Sequence, residues 1–298
     1  LMLKLRIPAT SANIGPGFDS IGLAVGLYNY VTLEEYDGLA IESLDGKEIP
    51  TDETNLVYTT AKRLYELCGV PFRGLKIGQI NNIPLTRGLG SSSACVIAGL
   101  KGANRLMGNP VSDDELLNLA AGIEGHPDNS TPALTGGLVT AVFDGKKVWY
   151  VKQEIKNDLR FVAIIPDFEL STAKARGVLP DTVPRRDGVF NLSRAALMSV
   201  SLYSGNYHNL RVAADDRLHQ PYRMGLVKGG GEVMDACFQL GAYAAYLSGA
   251  GPTIMAIVDA NLRDFGDCIA RRLPELGLDG WQVHTLSIDN AGTVIERV

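Results

Sequence analysis

PLTRGLGSSSA, residues 84–94, stands between a stretch that alternates like a strand at about 74–80 and ACVIAGLKGANRLM at 94–107, whose small and apolar residues suit a buried helix. The order is strand, glycine-serine loop, helix. At a helix start the backbone N–H groups and the positive end of the dipole point into the loop, so an anion is its natural guest. Gly88 and Gly90 let the backbone approach phosphate closely or take φ > 0, and the hydroxyls of Ser91, Ser92 and Ser93 can donate to phosphate oxygens or ligate a cation. The segment lacks the Gly-Lys-Ser/Thr ending of a Walker A loop, and the third glycine and following acid of the dinucleotide fingerprint. Taken alone, it would also suit a turn that only caps a helix.

Upstream, residues 3–7 and 27–35 read as strands on either side of a loop at 8–22 rich in Gly, Pro, Asn and Ser. From Thr54 to Leu67, Leu56, Val57, Ala61, Leu64 and Leu67 recur at helical spacing, and Gly69 with Pro71 ends the segment. Downstream, Ser112 and Glu115 form a capping box for a short helix ending near Gly122. EGHPDNSTPALTGG at 124–137 then reads as a polar loop, and LVTAVFDGKKVWYV at 138–151 as a hairpin turning at Asp144-Gly145. After about residue 155 the pattern begins again. A strand is expected at 161–166, helices near 191–203, 208–217 and 231–239, two strands around SGAGP at 248–252, a helix near 261–273 and a last strand near 281–288.

The 298 residues, 46% of them hydrophobic, suffice for two ordinary domains or one large one. Lys+Arg 28 against Asp+Glu 33 leaves a net charge of -5 with no basic run, which offers nothing to nucleic acid or an anionic membrane and favours a small polar substrate. Cys68, Cys95, Cys237 and Cys268 lie far apart in apolar surroundings and read as thiols of a reducing cytoplasm. The N-terminus has no long apolar core or cleavage site of a signal peptide, and Leu1 ahead of Met2 reads as a leftover of cloning. No run of roughly 18 apolar residues predicts a membrane span. We expect a cytoplasmic protein.

PLTRGLGSSSA at 84–94 resembles the glycine-serine signature of the GHMP kinases. PATSANIGPGFDSIG at 8–22 resembles that family's first motif and LSGAGPTIMA at 247–256 its third, so three ordered motifs spread over most of the chain. The first motif lacks the basic residue of APGK-like or APGR-like starts and, with EGHPDNSTPA at 124–133 and STAKARGVLP at 171–180, is similar to the homoserine kinase branch. The resemblance implies an α+β, two-domain fold: an N-terminal α/β domain with a left-handed β-α-β unit, at 1–155, and a ferredoxin-like C-terminal domain, at 156–298. It implies transfer of the γ-phosphate of ATP, with Mg2+, to the side-chain hydroxyl of L-homoserine, in threonine biosynthesis. It also leaves room for a homodimer in which the hairpin at 138–151 takes part.

The same resemblance distributes roles. Pro84, Leu85, Thr86, Arg87, Gly88, Leu89, Gly90, Ser91, Ser92, Ser93 and Ala94 would bind ATP. Asn55 would lie near the adenine and ribose, although a helix start suits it equally as a cap. Ser92 and Glu124 would hold the metal; without the family, Glu124 is a surface acid. Arg176 and Arg223 would take the substrate carboxylate by the planar fork of the guanidinium, Thr172 would line the same pocket, and Asn13, Asp19, Asp128 and Asn129 would surround the ammonium and hydroxyl. Each has a plainer alternative, since helix arginines are usually solvated and Asp-Asn pairs usually form turns. In-line transfer through a loose transition state needs no strong base, so Asp128 would bind the ammonium while Asn129 orients the hydroxyl. His126, between Glu124 and Asp128, reads as stabilising its loop rather than as a base, and His208, His219 and His284 show no metal spacing. The rivals are a GHMP kinase for another substrate, and a catalytically silent sensor. Acids at 19 and 128 argue against the first, and an intact phosphate loop with a metal ligand argues against the second.

Overall fold

Residues from Met2 alternate inward and outward, and in the computed structural model, which describes residues 1–297, they form strand β1 (Met2–Ala12), burying Leu3, Leu5 and Ile7. β2 (Ile21–Glu35) pairs with it antiparallel along almost its whole length, with a slip in register between Pro8 and Ala9. The polar loop expected at 8–22 therefore shrinks to residues 13–20, because the first motif begins inside a strand. β3 (Gly38–Ser43) lies parallel to β4 (Gly74–Asn81), and the crossover that a parallel pair requires carries α1 (Leu56–Leu67). α2 (Ser91–Leu106) follows the glycine-serine loop and packs Val96, Ile97 and Leu100 into the core.

α3 (Asp113–Glu124) opens on the Ser112–Glu115 capping box and runs two residues beyond Gly122, so Glu124 is its last helical residue rather than a loop residue. The stretch at 124–137 is not wholly loop either: it folds into the short α4 (Ser130–Thr135), followed by the hairpin β5 (Leu138–Phe143) and β6 (Val148–Gln153). β2 serves two partners, with Asn29–Glu35 on β4 and Ile21–Leu23 on β5.

Beyond the hairpin come β7 (Leu159–Ile165), α5 (Thr172–Gly177), α6 (Arg185–Ser204), α7 (Leu210–Ala213) and α8 (Gln220–Arg223). The helix expected at 208–217 is thus cut short. Buried Asp216 takes the N–H groups of Leu218, His219 and Gln220 on its carboxylate, which stops one helix and starts the next. α9 (Gly230–Gln239), β8 (Ala244–Leu247), β9 (Ile254–Asp259), α10 (Phe265–Glu275) and β10 (Gln282–Leu286) complete a second sheet in the order β10-β7-β9-β8, all antiparallel. Its β-α-β-β-α-β succession is the ferredoxin-like arrangement.

A strand the sequence reading does not contain, β11 (Val294–Arg297), returns to the first sheet and pairs with Leu3–Arg6 of β1. Residues 156–298 consequently do not all belong to the second sheet. The pairing also stops short of Pro8, so the missing N–H of that proline faces no ladder partner on that side.

One face of the second sheet, with Phe161, Ala163, Met255 and Ile257, shares the main apolar core with the first sheet, while its other face packs a smaller core with α9 and α10; the functional cleft draws residues from both halves of the chain. The approach of α4 to β2 is especially close: a Cβ on Gly22 would stand 1.7 Å from the carbonyl oxygen of Asp128. Gly22→Ala should therefore cost about 1–3 kcal/mol or more, read by urea denaturation, because backbone rather than a flexible side chain must give way. An unchanged midpoint would contradict that contact.

Candidate functional site

Hydroxyls and backbone groups lace three distant segments together. Ser11 Oγ lies 2.8 Å from Ser248 Oγ and 2.9 Å from the Tyr246 hydroxyl, Ser248 Oγ donates to the Gly88 carbonyl at 2.7 Å, and the amide of Gly249 donates to the carbonyl of Ala12 at 3.0 Å. A side chain at Gly88 would put its Cβ 2.2 Å from the Ser248 carbonyl oxygen, so the phosphate loop and the SGAGP turn can approach this closely only with glycine. Between them lies a cleft of about 330 Å3, a size suited to a small ligand.

At one end of the cleft α2 begins. Its N-cap is Gly90, in the left-handed conformation and without a side-chain cap, so no side chain occupies the first-turn amides. Ser91 Oγ is buried with no partner, Ser92 is exposed and lines the cleft, and Ser93 Oγ donates to Glu124 Oε1 at 2.6 Å. The hydroxyl that reaches Glu124 is therefore that of Ser93, not Ser92. Successive helical residues point about 100° apart, and of this pair only Ser93 faces α3. Thr86, Arg87, Gly88 and Gly90 also line the cleft, whereas Pro84, Leu85, Leu89 and Ala94 do not; Leu89 and Ala94 are core residues. The Arg87 guanidinium is spent on the carbonyls of Leu85, Pro166 and Asp167.

Glu124 Oε2 is enclosed and has no hydrogen-bond partner. Burial pushes its carboxyl up to about 7 and the charge of Asp128 adds to this, while Ser93, His126 and Ser130 oppose it. An ionised carboxylate with one bare oxygen, near the Ser130 hydroxyl, offers hard oxygen donors that suit a cation such as Mg2+.

At the other end charge is dense and balanced. Arg176 grips Asp19 with two hydrogen bonds, at 2.8 and 3.1 Å, and His126 Nδ1 meets Asp128 Oδ1 at 2.6 Å. Burial works against the charge of His126, but Asp128, Glu124 and Asp19 together outweigh it and raise its pKa. Ligating atoms of Asp19, His126 and Asp128 lie within 4.8 Å of one another. Arg223 is completely buried. Its Nε and Nη1 donate to the carbonyls of Ala175 and Gly249, and Nη1 also meets His219 Nδ1 at 3.3 Å. Burial first, and then the neighbouring Arg176, bring its pKa down to about 10. His219 is in turn held by the Gly15 carbonyl at 2.6 Å and stacks on Phe18; its pKa is lowered by burial, which keeps it neutral.

The remaining predicted residues divide. Asn129 Oδ1 accepts from Thr10 Oγ1 at 2.8 Å, so its amide group stays open to the cleft, and Thr172 lines the cleft at the start of α5. Asn13 lines it too, but its side chain fastens the loop, donating to the Gly249 carbonyl and accepting from the Asp19 amide. Asn55 is outside the cleft lining. It is a buried cap whose oxygen accepts from the amides of Val57 and Tyr58, and whose nitrogen donates to Gln79 and the Pro50 carbonyl. Its neighbour Leu56 reaches the cleft, with Val96 and Ile123. Sequence periodicity assigns those three to the core and gives no sign of a second role. The link of His219 to Arg223 has a faint sequence signal, their four-residue spacing on one helix face.

The profile of the GHMP kinases N terminal domain matches residues 55–137, and that of the GHMP kinases C terminal matches residues 198–273. A homoserine kinase of Clostridium beijerinckii is 48% identical over 298 residues, covering 99% of each chain. Another, of Caldicellulosiruptor saccharolyticus, is 46% identical over 300 residues, covering 100% of this chain and 97% of its own. The crystal structure of homoserine kinase from Cytophaga hutchinsonii superposes with a TM-score of 0.89 at 28% identity, over 99% of this chain and 97% of that one.

The pKa of Glu124 makes a stability prediction. Because the fold raises it from 4.5 to about 7, the protonated carboxyl is favoured on folding, and that advantage is full below about pH 4.5 and lost as pH rises through 7. Without divalent cations, thermal denaturation should show the wild type losing on the order of 2–3 kcal/mol relative to Glu124→Gln between pH 5 and 8. Parallel curves would place Glu124 in an ordinary solvated environment.

Proposed function

The chain belongs to the GHMP kinases, in their homoserine kinase family, and on that premise we propose how its cleft moves the γ-phosphate of ATP onto the side-chain hydroxyl of L-homoserine. The observation that carries the reading is the juxtaposition of two unlike ends within one cleft: an uncapped helix N-terminus for phosphate and a balanced set of acids and guanidinium groups for a zwitterion.

ATP phosphates bind the amides of Gly90–Ser93, with the dipole of α2 behind them. Leu56, Val96 and Ile123 offer apolar contact to the base, and Asn55 acts by fixing the helix start that presents Leu56. Mg2+ would be held by Glu124 through its bare Oε2 and by the open hydroxyl of Ser92, with Ser93 orienting the carboxylate. When bound it supplies positive charge against the phosphate oxygens.

The amino acid exchanges partners with the protein. Its ammonium sits against Asp19 and Asp128 and its carboxylate takes Arg176 and Arg223, so the Arg176–Asp19 pair opens and each member finds a new counter-charge. Net charge in the site is unchanged, which limits the desolvation cost. Thr172 closes the pocket, and the Asn129 amide, locked by Thr10, aims the hydroxyl at the phosphorus. In a loose transition state the hydroxyl proton leaves late and no strong base is required. A substrate without an ammonium, such as mevalonate, would leave Asp19 without a counter-charge once Arg176 turned to its carboxylate, at a cost of about 1–3 kcal/mol.

By this reading the product, O-phospho-L-homoserine, feeds threonine biosynthesis. A cytoplasmic location accords with four cysteines that form no disulfide. No helix among the described residues is long and apolar enough to cross a membrane.

Coupled assay of ADP release with ATP and Mg2+ against L-homoserine, mevalonate, galactose and L-serine tests the reading, with turnover expected on homoserine alone. Silence on homoserine would remove it. Glu124→Gln should lower kcat by roughly 100-fold or more, and unchanged turnover would sink the metal assignment. Arg223→Lys, which keeps the buried charge but loses the fork, should raise the KM for homoserine about tenfold at nearly constant kcat. An unaltered KM would place Arg223 outside the pocket.

A further inference from the structure

A guanidinium carries N–H donors on all three of its nitrogens, and those of Arg223 can each be followed to an end. Nε donates to the Ala175 carbonyl at 3.1 Å, and Nη1 donates to the Gly249 carbonyl at 3.2 Å. The other hydrogen of Nη1 goes to His219 Nδ1, 3.3 Å away. Nη2 bonds no group among the described residues, yet Arg223 lines the cleft. Two nitrogens are thus spent on holding the group in place, and the third is left to an incoming ligand.

That division depends on the protonation of one buried ring. Arginine has no acceptor, so His219 can meet Nη1 only through a bare Nδ1. Its Nε2 lies 2.6 Å from the Gly15 carbonyl oxygen, which only accepts, so Nε2 carries the hydrogen. The carboxylate of Asp216 comes no nearer to Nε2 than 3.6 Å and does not compete for that hydrogen. One neutral tautomer therefore satisfies both neighbours. The other tautomer and the imidazolium would each set an Nδ1–H against the guanidinium.

Phe18 completes the fixture. Its ring stacks on His219 at 5.3 Å between centroids, and the guanidinium carbons of Arg223 and Arg176 lie 5.1 and 5.5 Å from its centre. Gly15 and Phe18 belong to the loop that carries Asp19, so His219 ties the donor for a carboxylate to the segment that holds an acid for the ammonium. α8 itself does not need the ring: Asp216 takes the amides at its start, and the Gln220 side chain donates to the Ala214 carbonyl and accepts from the Leu247 amide. We propose that His219 is a positioning residue for the substrate carboxylate: as the Nε2–H tautomer it fixes Arg223 Nη1, leaves Nη2 to the ligand, and sets the spacing between that donor and Asp19. The proposal rests on the reading of the cleft as an L-homoserine site and deepens it, because ammonium and carboxylate of an α-amino acid stand at a fixed separation.

Steady-state kinetics and NMR on the full chain test this. His219→Leu, which removes both bonds, should raise the KM for L-homoserine about tenfold while the KM for ATP stays within about twofold and kcat within about threefold. His219→Gln, whose amide can again donate to Gly15 and accept from Arg223, should bring the KM for homoserine back to within about threefold of the wild type. With 15N-labelled histidine at neutral pH and no ligand, the ring signal that His219→Leu removes from the spectrum should be that of a neutral Nε2–H tautomer. An Nδ1–H tautomer or an imidazolium overturns the proposal. So does a KM for homoserine that His219→Leu leaves unchanged, that rises only in step with the KM for ATP, or that His219→Gln fails to restore. Turnover of homoserine by the unchanged protein tests the underlying reading separately: where it is present the variants decide the positioning role, and its absence removes both.

Discussion

The buried meeting of Ser11, Ser248 and the Gly88 carbonyl is the junction on which the rest of the site depends. Ser11 belongs to the first sheet, Ser248 follows a strand of the second, and Gly88 precedes α2, so one small polar knot fixes three bodies relative to one another. Because these groups are out of water, each must find its partner inside the protein, and a shift of one segment would strand the others. That stringency keeps the uncapped start of α2 facing a cleft whose other walls come from the second half of the chain.

Electrostatics at the two ends of the cleft follow different logics. Glu124 is incomplete: burial resists its ionisation and one oxygen lacks a partner, so a cation would repair an existing deficit. The Asp19–Arg176 and Asp128–His126 pairs are complete, and a ligand must offer both signs of charge to replace what it displaces. Arg223, locked behind them by two carbonyls and a neutral His219, keeps its place whichever partner the others hold.

What could be read in the sequence was what short-range chemistry controls. The capping box at Ser112, the Asp144-Gly145 turn and the helix after GLGSSSA each rest on neighbours within a few residues, and each is present. The misreadings involve partners far away in the chain. Residues 8–12 look like loop because Pro8 and the small polar residues around it suit one, yet pairing with β2 holds them extended. β11 is four residues long and owes its existence to the waiting edge of β1. Positions 13, 19, 124, 128, 129, 176 and 223 were gathered by the family resemblance rather than by their residue types, which alone suit turns and solvated surface, and these seven line the cleft. What each side chain does with its individual atoms did not follow: that Ser93 rather than Ser92 touches Glu124, or that Asn13 fastens a loop, depends on rotations a string of letters does not carry.

The pairing of β1 with β11 bears on how the polypeptide matures. Partners in that ladder lie almost the whole length of the chain apart, with the entire second sheet made between them. While synthesis is under way, the edge of β1 stands without its neighbour until residues 294–297 have been made. The first sheet thus gains its edge strand only after the residues of the second sheet have been made, so its completion is a contact of high sequence separation.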